Sequence, residues 1–160
     1  MKGFFSSLPF AFSLLAAPVL LVAVLPQPGG AAQCAPTEPD MLGPFYKPDA
    51  PVRSRVGQGY ILGGVVRSSH DCSPVAQARI EVWLAGPEGE YDDAHRATLF
   101  SDAKGVYRFE SNFPPPYSGR PPHIHLRVSA AGYRTLVTQH YPVKGQSQGT
   151  MDLVLVPVRP

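Results

Sequence analysis

His123 and His125 are separated by one residue in the run His123-Ile124-His125-Leu126-Arg127-Val128, a pattern that lets two imidazoles act on one target. Alternate residues of an extended strand share a face. Ile124, Leu126 and Val128 then turn to a core, while His123, His125 and Arg127 point the other way. Neutral imidazoles so placed can both reach a single metal ion. Alone, the pair leaves the metal open: zinc and copper suit it as well as iron, and many such pairs are only a solvated strand face.

The neighbourhood adds further donors. Pro114-Pro115-Pro116-Tyr117-Ser118-Gly119-Arg120-Pro121-Pro122 leads into the histidines, and its proline density stiffens the backbone that carries Tyr117 and Arg120. Tyr91 follows Glu81-Val82-Trp83-Leu84-Ala85-Gly86-Pro87-Glu88-Gly89-Glu90, and Gln139 lies in Leu136-Val137-Thr138-Gln139-His140-Tyr141. Each also has an ordinary reading, as a tyrosine of a sheet core or rim or a glutamine facing solvent. His70, His95 and His140 read as structural or surface residues.

The elements that must position these side chains are strands. Runs at Tyr60 to Val66, Arg79 to Leu84, Gly105 to Glu110, His123 to Ser129, Arg134 to Tyr141 and Met151 to Val158 are apolar or alternating. A glycine pair, Gly63-Gly64, suggests a bulge in the first. No segment after the first thirty or so residues keeps a helical period, and the 19 prolines in 160 residues argue for many turns. The expected architecture is all-β, an antiparallel β-sandwich. A formal net charge of +2, with no basic run, excludes nucleic acid and anionic membrane surfaces as natural partners.

Residues 1–32 read as a cleaved signal peptide: Lys2, an apolar run from Phe4 to Leu25, a break at Pro26 to Gly30, and small Ala31-Ala32. The run also approaches membrane-spanning length, so a retained anchor is the competing reading. Residues 33–160 then form a single domain, secreted or periplasmic, with no stable membrane span after cleavage. Cys34 and Cys72 are expected to form a disulfide there, tying the N-terminal arm to the body; two inert thiols are the alternative.

Taken in order, the motifs resemble the intradiol ring-cleavage dioxygenases of the protocatechuate and catechol type. They are Gly43-Pro44-Phe45-Tyr46, Gly63-Gly64-Val65, Ala78 to Trp83, Gly89 to Tyr91, Ser101 to Phe109, Pro115 to Tyr117, Arg120 to His125 and Thr138 to Tyr141. The resemblance implies a prealbumin-like sandwich holding one Fe(III) per chain through Tyr91, Tyr117, His123 and His125. Anionic phenolates suit a hard ferric ion, and imidazoles complete the set. It further implies a catecholic substrate that displaces Tyr117, reaction with O2, and cleavage between the two hydroxyl-bearing carbons to a muconate-type diacid. Arg120 would stand beside the substrate ring, Gln139 close to Arg120, and Tyr46 and Trp83 would line or support the pocket. A salt bridge tying down the proline loop is the plainer role for Arg120.

Some stretches depart from the family. The Tyr91–Ser101 and Tyr117–Arg120 connections are short, Leu84-Ala85-Gly86 replaces a more polar stretch, and the N-terminal helical region of catechol-type members has no counterpart. These trims leave substrate preference and oligomeric state open and suggest a more open pocket. Other classes of function stay in view: a non-catalytic transthyretin-like binding module, or a zinc or copper site at the histidine pair.

Overall fold

The computed structural model describes Gly3 and residues 34–158. Apart from Gly3, the expected signal peptide lies outside the described residues. Among the described residues no helix is long and apolar enough to cross a membrane.

Two sheets pack face to face. The first is built on β1 (Tyr60–Ser68), which pairs antiparallel with β4 (Val106–Ser111) and parallel with β7 (Gln148–Thr150) and β8 (Leu153–Leu155). The second is wholly antiparallel, in the order β3 (Arg96–Phe100), β2 (Arg79–Leu84), β5 (Ile124–Ser129), β6 (Leu136–His140). A single 3-10 turn, Asp93–His95, precedes β3. Between the sheets lie Leu62, Val66, Phe109, Leu153 and Leu155 from one side and Ile80, Val82, Leu84, Ile124, Leu126 and Val128 from the other. Burying each such side chain stabilises the fold by about 2 kcal/mol.

The β2–β5 register decides where the chemistry falls. Ile80, Val82 and Leu84 face Val128, Leu126 and Ile124 across the ladder, all on the core side. The alternate positions pair Glu81 with Arg127 and Trp83 with His125, and β6 adds Gln139 opposite His125. This second face is therefore polar and aromatic, yet Glu81, Trp83, His125 and Gln139 are all buried.

What buries it is the N-terminal arm. The Cys34–Cys72 disulfide forms as expected, with Cα atoms 5.2 Å apart. From there Thr37 exchanges hydrogen bonds with Val154, and the Asp40 amide donates to the Val137 carbonyl. Residues 50–53 lie along β3, with Thr98 donating from its amide to Pro51 and from its hydroxyl to Ala50. Residues 54–56 continue along β4. The arm thus closes both edges, which would otherwise offer unpaired backbone groups.

Three expectations are corrected. β3 escapes a sequence reading because Ala97, Thr98 and Leu99 are all buried, the arm having removed the alternation that marks a half-exposed strand. The last expected strand is reduced to Leu153–Leu155, with β7 before it. Gly63 and Gly64 form no bulge: both pair in unbroken register with Arg108 and Tyr107. Gly64 instead admits the chain between β7 and β8, since a Cβ there would lie 2.1 Å from the Met151 carbonyl oxygen. At the same place Asp152 Oδ1 accepts the Val65 amide at 2.9 Å, replacing a ladder bond.

Gly64→Ala should accordingly lower stability by about 2 kcal/mol or more in a denaturant melt, because the obstacle is backbone and cannot swing away. Replacing both Cys34 and Cys72 by Ser should cost up to about 4 kcal/mol for a loop of this length. The same melt under reducing and oxidising conditions checks it: only the parent protein should respond to reductant.

Candidate metal centre

His123 lies just before β5 and is buried. The Pro121 carbonyl, 2.8 Å from Nδ1, can only accept, so Nδ1 carries the ring proton. Nε2 is left with a lone pair directed at the Tyr91 hydroxyl, 3.0 Å away. That separation also suits two donors sharing one ion at bond lengths of about 2 Å.

His125 is closely packed. Its cross-strand neighbour Trp83 stacks on it with centroids 4.8 Å apart and planes 5° from parallel. Beside the ring Gly43, at φ +73°, leaves room that a side chain would take: a Cβ there would stand 3.0 Å from His125 Cε1. The buried Nδ1 of His125 makes no well-formed hydrogen bond among the described residues. Burial, and then the neighbouring His123, push this imidazole down to about 4, the Met41 carbonyl offsetting part of the shift. At neutral pH His125 is uncharged and keeps the lone pair that metal ligation requires.

Phe45 stacks on Tyr91 (4.2 Å, 10°) and meets Tyr117 edge-on (5.4 Å), while Tyr91 and Tyr117 meet edge-on at 5.2 Å. Burial raises the Tyr91 phenol; Arg120 draws it down and Tyr117 pushes it up. A phenol in that setting ionises readily only when a strong cation sits on its oxygen. Two phenols, a lone pair at His123 Nε2 and an uncharged, under-bonded His125 are together a donor set that fits a ferric ion.

Tyr117 and Arg120 face each other across a two-residue turn. Each amide donates to the other's carbonyl, at 3.2 and 2.9 Å. The central Ser118 and Gly119 have φ of +49° and +79°, the signature of a type I′ turn. The expected stiff loop is thus a tight hairpin that sets both side chains beside the histidines. Arg120 Nη2 donates to Gln139 Oε1 at 2.9 Å and to the Tyr141 hydroxyl at 3.0 Å. Gln139 Nε2 in turn holds the Met41 carbonyl at 2.7 Å.

The four expected ligands and Arg120 open on one cleft of about 380 Å³, walled also by Met41, Gly43, Pro44, Phe45 and Ser118. Gln139 stands behind Arg120, as expected. Of the two roles expected for Tyr46 and Trp83, lining or supporting the pocket, the structure places them in the second: neither is on the cavity wall. Trp83 backs His125, and Tyr46 packs on Trp83 (5.1 Å) and donates to the buried Glu81 at 3.3 Å. Glu81 also receives Arg127 at 2.6 Å and Arg79 at 3.2 Å. Pro44 and Phe45 form a turn, and Phe45 takes the cavity position. Phe45, Gly43, Tyr141 and Asp40 were not singled out from the sequence. The first three stand inside the quoted motifs, which was the only signal. His95 and His140 are engaged elsewhere, with Asp92 (2.8 Å) and Tyr60 (2.7 Å).

No family model matches the chain. Among curated proteins it is 37% identical over 145 residues to hydroxyquinol 1,2-dioxygenase of Rhodococcus opacus, covering 70% of this chain and 48% of that protein. It is 32% identical over 143 residues to catechol 1,2-dioxygenase of Candida albicans, covering 66% of this chain and 46% of that one. The chain spans about half the length of the curated relatives it matches. Among solved structures it is similar to the dioxygenase domain of a dioxygenase carbohydrate-binding protein fusion from Streptomyces sp. SirexAA-E. There the TM-score is 0.68 at 27% identity, over 78% of this chain and 100% of that one. With the same sandwich as a solved dioxygenase domain and with hydroxyquinol and catechol 1,2-dioxygenases as relatives, the chain belongs to the intradiol ring-cleavage dioxygenase family.

Proposed function

We propose that the protein cleaves catecholic rings between the two hydroxyl-bearing carbons, using O2 and one ferric ion per chain held by Tyr91, Tyr117, His123 and His125. The observation that carries this reading is the convergence of two phenols and two imidazoles on one cleft, with His123 Nε2 and the Tyr91 oxygen 3.0 Å apart. A bound ferric ion would supply a Lewis acid that draws electron density from a catecholate and readies the ring for O2. Both atoms of O2 enter the product, one into each new carboxyl group of a muconate-type diacid.

The chain's own residues do the rest. Phe45 and Pro44 give the ring an apolar wall and exclude water from one side. Tyr117, half-buried on its hairpin, is placed to exchange a proton at its phenol oxygen with an incoming catechol hydroxyl. Arg120 brings a fixed positive charge to the same cleft, where it stabilises negative charge developing on the substrate. Trp83 and Gly43 keep the plane of His125 constant throughout. A non-catalytic binding module has no need of such a convergence. The disulfide supports work outside the reducing cytoplasm, secreted or periplasmic.

Iron-replete protein should be burgundy, through phenolate-to-ferric charge transfer, and should consume O2 when given catechol or a substituted catechol. A colourless, iron-free preparation that takes up no O2 would sink the proposal. Tyr91→Phe and His125→Ala should each lower iron content and oxygen uptake by more than about a hundredfold, measured by elemental analysis and an oxygen electrode. Gly119→Val tests the hairpin: nothing stands within 4 Å of the Cβ position, so its cost is conformational. It should reduce kcat/KM by about tenfold or more while Ser118→Gly leaves it unchanged, since only the first forces a branched residue into positive φ.

A further inference from the structure

Arg120 brings a full positive charge to the cleft without a carboxylate beside it. Among the described residues its bonds go to neutral acceptors, Gln139 Oε1 and the Tyr141 hydroxyl. Both are taken by one nitrogen, Nη2, whose two protons are thereby committed. Nε and Nη1 remain for the cleft.

The Tyr141 hydroxyl has a single proton. Its shortest bond is to Asp40 Oδ2 at 2.7 Å, against 3.2 Å to Gln139 Oε1. With that proton drawn to the carboxylate, the oxygen lone pairs turn to Arg120. Asp40 is itself held firmly: Oδ1 accepts the Met41 amide at 2.6 Å, and its own amide donates to Val137 on β6. Burial raises this carboxyl, but the hydrogen bonds from Tyr141 and the Met41 amide prevail and leave it below its ordinary value. An aspartate touching Arg120 directly would cancel much of the charge that the cleft uses. One hydroxyl further off, it orders the guanidinium and leaves the charge largely available.

We propose that Asp40 and Tyr141 are positioning residues for Arg120, the carboxylate setting the direction of the Tyr141 hydroxyl and the hydroxyl holding one guanidinium nitrogen so that the others face the cleft. This rests on reading the cleft as a catechol site. Neither residue touches the expected metal donors by hydrogen bond, so both should be dispensable for iron loading.

The test uses the full iron-loaded protein with Tyr141→Phe, Asp40→Asn, Arg120→Ala, and Tyr141→Phe combined with Arg120→Ala. Iron content and melting temperature should stay near those of the parent. Tyr141→Phe and Asp40→Asn should each lower kcat/KM for catechol by about tenfold, mainly in kcat, as for loss of one charge-assisted hydrogen bond. Binding of 4-nitrocatechol, followed by its visible spectrum, should weaken by about fivefold. In the Arg120→Ala background Tyr141→Phe should add no further loss, because its effect runs through Arg120.

Parent-like kinetics in Tyr141→Phe, or a loss that adds fully to that of Arg120→Ala, overturns the positioning role while leaving the ring-cleavage reading intact. Should Asp40→Asn fail to fold, Tyr141→Phe decides, since it leaves the backbone bonds of Asp40 in place. A parent protein that loads iron but cleaves no catechol removes the ring-cleavage reading and the positioning role with it.

Discussion

The whole arrangement depends on strands β2 and β5 having two different buried faces. Their ladder puts Val82 opposite Leu126 in the apolar core and, one step along, Trp83 opposite His125 and Glu81 opposite Arg127 on the reverse. A strand face bearing a carboxylate and an imidazole is stable in the interior only if its polar groups are satisfied. Here Glu81 is met by Arg127, Arg79 and Tyr46, and His125 is left under-bonded, with its ring clamped by Trp83. Trp83 Nε1 on the same face likewise has no hydrogen-bond partner among the described residues.

Burying that reverse face falls to a stretch with almost no regular structure of its own. Residues 34–56 carry no strand longer than isolated bridges, yet they close the edges of β3 and β4, place Gly43 beside His125 and stack Phe45 on Tyr91. Their order is set from outside: by the disulfide at Cys34, by Thr37 on Val154, by Asp40 on Val137 and by Gln139 on Met41. An arm held by many separate bonds along its length loses little entropy at each successive attachment, because the neighbouring residues are already fixed. The cleft is thus a joint product of a rigid sheet and a segment tied to it.

The opposite wall follows another principle. Tyr117 and Arg120 stand on a hairpin only two residues long, flanked by prolines, so little backbone freedom remains to be lost when they are ordered. At the rim of the cleft Met41 is largely exposed. Tyrosine and arginine still meet the histidines from a fixed direction.

Much of this was legible in the residues alone. Strand alternation located β2 and β5 and assigned His125 and Arg127 to the reverse face, because a period of two reports directly which side a residue takes. Motif order supplied Tyr91, Tyr117, Arg120 and Gln139, and the even cysteine pair supplied the disulfide. Tertiary structure alone decided what covers that face. β3 was hidden because the arm buries both its sides, and Phe45, in a turn of the arm that no periodicity marks, is the ring that enters the cleft while Tyr46 packs behind on Trp83. Gly64 likewise owes its identity to a carbonyl from Met151, nearly ninety residues along the chain. The Asp40–Tyr141–Arg120 chain joins three segments distant in sequence, and no local pattern records it. Periodicity encodes the side of a strand on which a residue lies; which distant segment comes to lie against that side is settled only by packing.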